Sequence, residues 1–339
     1  MRAREVQNPP NPWASHHVEW LGEPPTTELK VYEEEARTIL SENQSPDLPF
    51  RYGLNPYRGC FHGCVYCYAR PTHQYLDWGA GSDFERRIVV KTNAAELLEA
   101  GLKSEKWEPE TIVFSGVTDC YQPLEASYEL TRRCLEACAE RRNPVGIVTK
   151  GALICRDIDL LSEMAAWNGV RVFISIPFAT TQMGKAVEPY ATTIDQRFRA
   201  VQRLAKAGVD VGVSVSPMIP GLNDEMIPAI LERAADVGAR RAFMTVLRLP
   251  PPVDEFFESA LRERFPDRAD RVLSAIRDLR GGDLSEHRFG ERMVGKGSRW
   301  QAIRQLFQGT CDRVGLQRGR DEGLNCSAFR RFGQQELGI

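Results

Sequence analysis

From about Phe50 onwards, short apolar runs alternate along the chain with longer amphipathic stretches. Six of these runs have the length and the β-branched content of strands: Arg51–Pro56, Thr111–Ser115, Val145–Thr149, Val170–Ile176, Val209–Val215 and Arg241–Val246. The stretches beside them repeat apolar residues at helical spacing: Ala94–Leu102, Leu124–Arg142, Asp157–Trp167, Thr193–Ala207, Asp224–Asp236 and Asp254–Arg264. Strands that alternate with helices in this way predict parallel βαβ units.

The ends of the predicted helices carry capping signals. Thr193 and Asp224 suit N-cap positions, and Gly208 and Gly238 suit the left-handed position that follows a helix. Six βαβ units with right-handed crossovers predict an α/β fold, a partial (β/α)6 TIM-like barrel with its functional residues in the loops after the strands. A doubly wound open sheet would show the same alternation, so the pattern leaves both arrangements open.

The composition changes on either side of this alternating region. Residues 1–49 are rich in Pro, Glu and Asn and predict an extended N-terminal arm. Residues 50–250 are the predicted core barrel, and residues 251–339 a predicted α-helical C-terminal extension. From Arg280 onwards this extension has 11 basic and 7 acidic residues, and it could act as a lid over the open side of the barrel. Its predicted helices are Phe256–Phe265, Arg268–Arg280 and Arg299–Phe307.

Charge and composition narrow the class of protein. The net charge of −2 over 339 residues argues against a strongly basic nucleic-acid coat, although a local basic groove remains compatible with it. No apolar run approaches the ~18 residues of a membrane span, and residues 1–20 lack the apolar region of a secretory signal. Nine cysteines, an odd number, do not suggest a disulfide framework. We therefore expect a cytoplasmic protein with no membrane partner.

Three of the nine cysteines lie within eight residues. Cys60, Cys64 and Cys67 follow the first predicted strand. A cubane iron–sulfur cluster takes four ligands, so three local thiolates leave one iron open for a bidentate ligand such as the amino and carboxylate groups of S-adenosylmethionine (SAM). The alternative is a structural zinc site completed by His62 or His73. The chain has no second CxxC pair, which favours the cluster.

The C-x3-C-x2-C spacing with an aromatic residue before the last cysteine resembles the hallmark of the radical SAM superfamily. Residues 55–60, 66–70, 116–123 and 149–150 are similar to the branch related to spore photoproduct lyase, often described as DNA repair photolyase-like, and the C-terminal segment resembles a bacterial subgroup of that branch. The similarity covers about residues 50–246. It implies a [4Fe–4S] cluster on the three cysteines, reductive cleavage of SAM to a 5′-deoxyadenosyl radical, and an electron donor of the flavodoxin or ferredoxin type.

The resemblance also implies roles for polar residues after the next strands. The loop with Ser115, Gly116, Thr118 and Asp119 would contact the SAM amino group, since carbonyl, hydroxyl and carboxylate oxygens accept hydrogen bonds from an ammonium group. The alternative is that Asp119 caps the following helix.

Further SAM contacts are implied in the cysteine loop and at the ends of the third and fourth strands. Lys150 would meet the SAM carboxylate, Ser175 the ribose or the carboxylate, and Tyr66 the adenine. The alternatives are a solvated lysine, a buried serine satisfied by backbone, and core packing of the tyrosine. Glu188 and Arg197 stand where related proteins carry an acidic and a basic residue, and an ion pair on a helix surface would explain them equally well.

Cys120 is a candidate hydrogen-atom donor to a substrate radical, because a thiol beside Asp119 would lie at the barrel mouth. In spore photoproduct lyase the cysteine with this role precedes the Thr-Ser-Asp of its loop, and at that position this chain has Gly116. Core packing of Cys120 is the alternative, as it is for Cys134 and Cys138, which are four residues apart on a predicted helix.

Two classes of substrate fit these residues. One is a nucleic-acid lesion or a modified base, with the basic stretch from Arg288 to Arg304 holding phosphates. The other is a small molecule or a peptide side chain. A non-catalytic zinc or iron–sulfur structural protein is a third interpretation, but a structural metal would need none of the polar residues at the strand ends. The oligomeric state is not indicated by the sequence.

Overall fold

The computed structural model describes residues 29–319 and 323–331. Its strands are β1 Lys30–Glu34, β2 Leu40–Glu42, β3 Tyr52–Leu54, β4 Tyr57–Arg58, β5 Arg87–Lys91, β6 Ile112–Phe114, β7 Val145–Thr149, β8 Val170–Ser175, β9 Asp210–Ser214, β10 Arg241–Phe243 and β11 Gln317–Arg318. Its α-helices are α1 Asp83–Arg86, α2 Ala94–Lys103, α3 Glu125–Tyr128, α4 Leu130–Arg141, α5 Ile158–Ala165, α6 Thr181–Val187, α7 Ile194–Lys206, α8 Ile227–Asp236, α9 Val253–Arg264, α10 Ala269–Arg280 and α11 Gly297–Val314. Short 3₁₀ turns span Arg70–Leu76, Ala152–Asp157, Asp224–Met226 and Cys326–Ala328. Within the described ranges, none of the helices has the length and apolarity that a membrane crossing requires.

The main sheet has eight strands in the order β11-β10-β9-β8-β7-β6-β3-β2. All neighbours are parallel except β2 and β3, which are antiparallel. The six inner strands are the six predicted ones, and they follow one another across the sheet without the reversal of order that a doubly wound sheet contains. The prediction of a partial TIM-like α/β fold is therefore confirmed, and the sheet is not closed.

Burial on both faces explains why these strands are continuous apolar runs. All six residues of β8 are buried, because α5 and α7 pack against it from outside and side chains of neighbouring strands fill the inside. On the inside, the rings of Phe173 and Phe243 meet edge to face with their centroids 4.8 Å apart. Gly212 lies beside them, and a Cβ there would stand 2.6 Å from the Phe173 ring. A larger residue at this position would disturb the barrel interior.

A second sheet was not predicted from the sequence. Its order is β1-β5-β4, with β1 parallel to β5 and β4 antiparallel to it. The described part of the N-terminal arm thus forms β1 and β2, and the remainder of that predicted arm, residues 1–28, lies outside the described residues. Strand β1 has the sequence KVYEE and is largely exposed, so it lacks the apolar pattern that marks a buried strand.

The capping predictions have mixed outcomes. Thr193 is the N-cap of α7, where it forms a capping box with Gln196, and Gly208 and Gly238 follow their helices with φ of 83° and 94°, so these predictions are confirmed. The N-cap prediction for Asp224 is wrong. Helix α8 begins at Ile227, and the Asp224 carboxylate instead accepts the Gly221 N–H at 2.8 Å.

The predicted helix Leu124–Arg142 is divided into α3 and α4 by Glu129, which has a left-handed φ of 52°. The buried Glu125 carboxylate accepts the backbone N–H of Thr131 at 2.9 Å and so satisfies a free donor at the start of α4. The break at Glu129 creates a new helix N-terminus, and the buried Glu125 side chain caps it.

The C-terminal extension is attached to the barrel through a buried arginine. Helix α11 is longer than predicted and packs on α8, and β11 extends the sheet beside β10. Arg280, at the end of α10, donates to the Leu247 carbonyl at 2.5 Å and also to the carbonyls of Glu291, Arg292 and Val294. Burial lowers the pKa of Arg280 to about 10. Segment 291–294 is thereby fixed beside the residues that follow β10.

The capping box of α7 gives a test of local stability. We expect Thr193→Ala to lower the free energy of unfolding by about 1 kcal/mol, because the Gln196 N–H loses its side-chain partner. Urea unfolding followed by circular dichroism measures it. The matched control is Gln202→Ala on the exposed face of the same helix, which should change stability by less than about 0.5 kcal/mol. Equal effects of the two substitutions would contradict the prediction.

Candidate functional site

The cysteine loop, residues 59–67, is supported by both sheets. It does not directly follow the first barrel strand, as the sequence suggested, because β4 intervenes and pairs with β5. The Cys60 N–H donates to the Phe84 carbonyl at 3.0 Å. Gly59 has a φ of 79°, and a Cβ on it would stand 2.7 Å from that same carbonyl. Gly63 has a φ of 63°, and a Cβ on it would stand 2.9 Å from the Tyr190 ring. Both glycines are therefore required by the path of the loop.

The three thiols suit an iron–sulfur cluster. Cys60 and Cys64 are buried, Cys67 is partly buried, and all three are free. Burial raises the pKa of the Cys60 and Cys67 thiols, and hydrogen bonding from the backbone amides of His62 and Ala69 opposes that rise. Hydrogen bonds to sulfur are among the features by which proteins tune such clusters. The donor set and its backbone amides fit a group held by thiolates.

No three His, Cys, Asp or Glu side chains in residues 29–319 and 323–331 are grouped closely enough to hold a single metal ion. The thiolates of a cubane bind different irons and do not meet at one point. The two histidines considered as zinc ligands each have another contact. Nδ1 of His62 lies 3.3 Å from Asp119, and Nε2 of His73 lies 2.8 Å from the Arg87 carbonyl.

Arg70 holds the backbone of the cysteine loop at the Cys64 carbonyl. Its side chain is fully buried and donates twice to the Cys64 carbonyl, at 3.1 and 3.0 Å. It also donates to the carbonyl of Gly81 at 2.7 Å and pairs with Glu85 at 2.6 Å. Its guanidinium lies 4.3 Å from the Phe256 ring centroid. A planar group with several fixed donors is suited to this task in a way that lysine is not.

Side chains of the loop after β6 hold the cysteine loop from the other side. The Thr118 hydroxyl donates to the Gly59 carbonyl at 2.5 Å. The Gln122 amide donates to the same carbonyl at 3.3 Å and accepts the Phe61 N–H at 3.0 Å. Thr118, expected from the resemblance to contact SAM, is therefore engaged with the cysteine loop.

Asp119 is a buried carboxylate with four partners. It accepts hydrogen bonds from the Thr149 hydroxyl at 2.5 Å, the Lys150 N–H at 2.8 Å and the Tyr121 N–H at 2.9 Å, and it lies 3.3 Å from His62. Burial raises the pKa of Asp119, but His62 and these hydrogen bonds outweigh burial and keep the pKa well below its usual range. The carboxylate does not cap the following helix; it joins the ends of β6 and β7 to the cysteine loop.

Ser115 and Gly116 form a tight turn at the end of β6. Ser115 has a φ of 74°, in the left-handed region that side chains rarely adopt, and its hydroxyl accepts the Cys120 N–H at 2.9 Å. Strain of this kind costs about 1–3 kcal/mol and is concentrated at functional sites. The Asn55 side chain accepts the N–H groups of Gly116 and Val117 at 2.9 and 3.0 Å. The turn is therefore fixed from the end of β3.

A buried charge network lies beside Cys64. Glu188 accepts hydrogen bonds from the Tyr66 hydroxyl and, at 2.5 Å, from Arg197, and the Lys150 ammonium is 4.0 Å away. Glu188 and Arg197 are both about 1% exposed, so the expected ion pair exists but is not on a helix surface. Burial lowers the pKa of Lys150, but Cys64 and Glu188 outweigh burial and raise it. Lys150 is thus a half-buried cation beside the cysteine loop.

Ser175 and Cys120 have partners that favour the structural alternatives. The Ser175 hydroxyl donates to the Ser216 carbonyl at 3.2 Å, and its own carbonyl accepts from Arg197 at 2.9 Å. Cys120 is fully buried in the main core, with its carbonyl bonded to Thr131. Burial raises the pKa of the Cys120 thiol. Packing therefore accounts for Cys120 better than exposure to a substrate, and Cys134 and Cys138 are buried in the same core.

Several residues of the site were not singled out from the sequence: Asn55, His62 in its contact with Asp119, Arg70 and Gln122. Asn55, Arg70 and Gln122 belong to the segments that carry the family resemblance, which was the only signal for them. Their roles depend on contacts between segments about sixty residues apart for Asn55 and Gln122, and such contacts have no periodicity in the sequence.

Comparison with known proteins agrees with this geometry. The sequence model described as the Radical SAM superfamily matches residues 54–234. Uncharacterized proteins of Mycobacterium tuberculosis and Mycobacterium bovis are each 37% identical to the chain over 232 residues, 68% of this chain and 68% of the relative. An uncharacterized protein of Methanocaldococcus jannaschii is 28% identical over 198 residues, 58% of this chain and 71% of the relative.

Among solved structures, the chain is similar to spore photoproduct lyase complexed with a dinucleoside spore photoproduct. The TM-score is 0.62 with 17% sequence identity, over 88% of this chain and 87% of that one. A mutant of the same enzyme with a tyrosine replaced by phenylalanine gives a TM-score of 0.63 with 17% identity, over 90% of this chain and 88% of that one. At this identity the likeness shows the fold.

The role of Arg70 can be tested by its removal. We expect Arg70→Met to lower the free energy of unfolding by about 3–5 kcal/mol, because Glu85 and several carbonyls lose a buried partner. Urea unfolding measures it, and iron retained after anaerobic reconstitution should fall as well. The control is Arg262→Gln, which breaks exposed ion pairs with Glu258 and Asp270 and should cost less than about 1 kcal/mol. A variant at Arg70 as stable as this control would refute the assignment.

Proposed function

The chain belongs to the radical SAM superfamily, and on that premise we propose that it binds a [4Fe–4S] cluster on Cys60, Cys64 and Cys67 and cleaves SAM reductively. The observation that carries the proposal is a loop with three free thiols, braced on both sides, at the carboxyl ends of the barrel strands. When bound, such a cluster supplies the electron that splits SAM into methionine and a 5′-deoxyadenosyl radical, which takes a hydrogen atom from a substrate.

The three thiolates would hold three irons and leave the fourth for SAM. Arg70, Thr118 and Gln122 act as positioning residues, because they fix the carbonyls of the loop and so the spacing of the sulfurs. Asp119 has the same role through His62 and the end of β7. Holding a metal ligand through its backbone and its neighbours is a common way in which proteins tune a metal site.

Lys150 is the residue we propose for the SAM carboxylate. Its ammonium lies 4.0 Å from Glu188 and 5.7 Å from the centre of the Tyr66 ring, so it faces the same space as Cys64. Glu188 is already bonded to Arg197 and Tyr66; the lysine can therefore share its charge with a second carboxylate. Backbone groups of Ser115 and Gly116 are the proposed acceptors for the SAM amino group, and Tyr66 the proposed neighbour of the adenine.

The electron would come from a flavodoxin- or ferredoxin-type donor, and a chemical reductant can replace it in an assay. Burial of Val65 and Tyr66, which are 4% and 6% exposed, would keep water away from one side of the loop.

Replacement of the cysteines tests the proposal. After anaerobic reconstitution, the wild-type chain should hold about four irons and form 5′-deoxyadenosine from SAM under reducing conditions. Cys60→Ala, Cys64→Ala and Cys67→Ala should each lose the visible cluster absorbance and the product. Cys138→Ala, a buried cysteine on α4, is the matched control and should keep both. The proposal fails if the wild-type chain takes up only zinc, or if a cysteine-loop variant behaves as the control does.

A further inference from the structure

Arg248 has a position that the fold determines closely. It follows β10 and lies between Leu247 and Leu249, which are 1% and 0% exposed. The Leu247 N–H donates to the Met218 carbonyl at 3.0 Å, and the Leu247 carbonyl accepts from Arg280 at 2.5 Å. The backbone beside Arg248 is therefore fixed on both sides, and the guanidinium is held at the carboxyl end of the last of the six predicted barrel strands.

The charge of Arg248 lacks a carboxylate partner among residues 29–319 and 323–331. Its Nη1 donates to the Met293 sulfur at 3.7 Å. Asp47 attracts the guanidinium electrostatically, but the two oxygens of Asp47 are already bonded to the Gly290 N–H at 2.6 Å and to Arg292 at 2.5 Å. Burial, with a further contribution from Arg292, lowers the pKa of Arg248. A half-buried cation without a partner is destabilising unless an anion completes it.

An aromatic ring lies directly beside this cation. The Arg248 guanidinium is 5.4 Å from the ring centroid of Tyr68, the residue that follows the last cysteine of the loop. Tyr68 is 49% exposed, and its hydroxyl donates to the Gly116 carbonyl at 2.6 Å, which fixes the orientation of the ring. An exposed aromatic face and a guanidinium at this spacing suit a planar base and its phosphate, since bases stack on aromatic side chains and arginine binds phosphate oxygens with two donors.

The C-terminal extension adds a second pair of the same kind. Arg292 lies 4.3 Å from the ring centroid of Phe289, which is 60% exposed. Arg280 fixes the carbonyl of Arg292 beside Leu247, so this pair is held near Arg248. The Arg292 guanidinium is already paired with Asp47 at 2.5 Å, so this second pair adds an exposed aromatic face near Arg248 but no unpaired charge.

We propose that the substrate contains a nucleotide unit, with its phosphate on Arg248 and its base against Tyr68. The inference rests on the proposed function, because the base would then lie beside the loop that holds the cluster. The phosphate could belong to a free nucleotide or to a strand, and the two sources share this contact. Phosphate binding by one arginine contributes to affinity whatever the base sequence.

Binding of a fluorescein-labelled short single strand to the reconstituted protein tests the proposal, with cytidine 5′-monophosphate as competitor. Arg248→Gln should weaken strand binding about tenfold and reduce the slope of log affinity against log salt by about 0.7, the value for one phosphate contact on a single strand. Arg248→Lys should keep the slope, because it keeps the charge. Arg313→Gln, an exposed arginine paired with Glu232 on another part of the surface, is the matched control and should bind as the wild type does.

Competition by cytidine 5′-monophosphate distinguishes a free nucleotide from a nucleic-acid strand as the source of the phosphate. Displacement by the mononucleotide, lost in Arg248→Gln, indicates that one nucleotide suffices; no displacement indicates a strand. The proposal is overturned if neither probe binds the wild-type protein, or if Arg248→Gln matches the wild type in affinity and salt slope. Formation of 5′-deoxyadenosine is measured separately. Its absence with intact, Arg248-dependent binding would contradict the proposed function and leave the nucleotide site standing.

Discussion

The structure of the site depends on the clamping of one short backbone segment. The carbonyls of Gly59 and Cys64 are each held by side chains from outside the loop, the first by Thr118 and Gln122 and the second by Arg70. A loop with two left-handed glycines would otherwise have many conformations available to it, and its thiolates would have no fixed spacing. Side chains that bind backbone, rather than sulfur, thus determine where the sulfurs lie.

Buried charge is concentrated around this loop. Arg70, Asp119 and the Glu188–Arg197 pair are each removed from water, and each is satisfied by several hydrogen bonds. Such groups contribute little net stability, since desolvation offsets much of their attraction. Their value here is geometric, because a fully bonded carboxylate or guanidinium tolerates only one arrangement of its partners. A core of apolar residues would leave the loops free to shift relative to one another.

The barrel could be predicted from the sequence because buried parallel strands are continuous apolar runs, as in β8 and β9. The small sheet could not, since β4 has two residues and β1 is exposed and charged. The cysteine motif indicated the loop, but not what holds it. Tyr66 and Glu188 are 122 residues apart in the chain, and no local sequence pattern indicates that they are in contact. Glu188 and Arg197 do form the ion pair considered for them as an alternative, but they form it inside the protein and not on a helix surface.

The small sheet has a consequence for the order in which the site can be built during translation. Strands β1, β4 and β5, together with Phe84, all lie within residues 30–91, whereas Thr118, Asp119 and Gln122 come later in the chain. The part of the small sheet that contacts the cysteine loop is thus synthesised before the residues of the loop after β6 that contact it from the barrel. The thiols would stay accessible to solvent from the barrel side until the loop after β6 has folded.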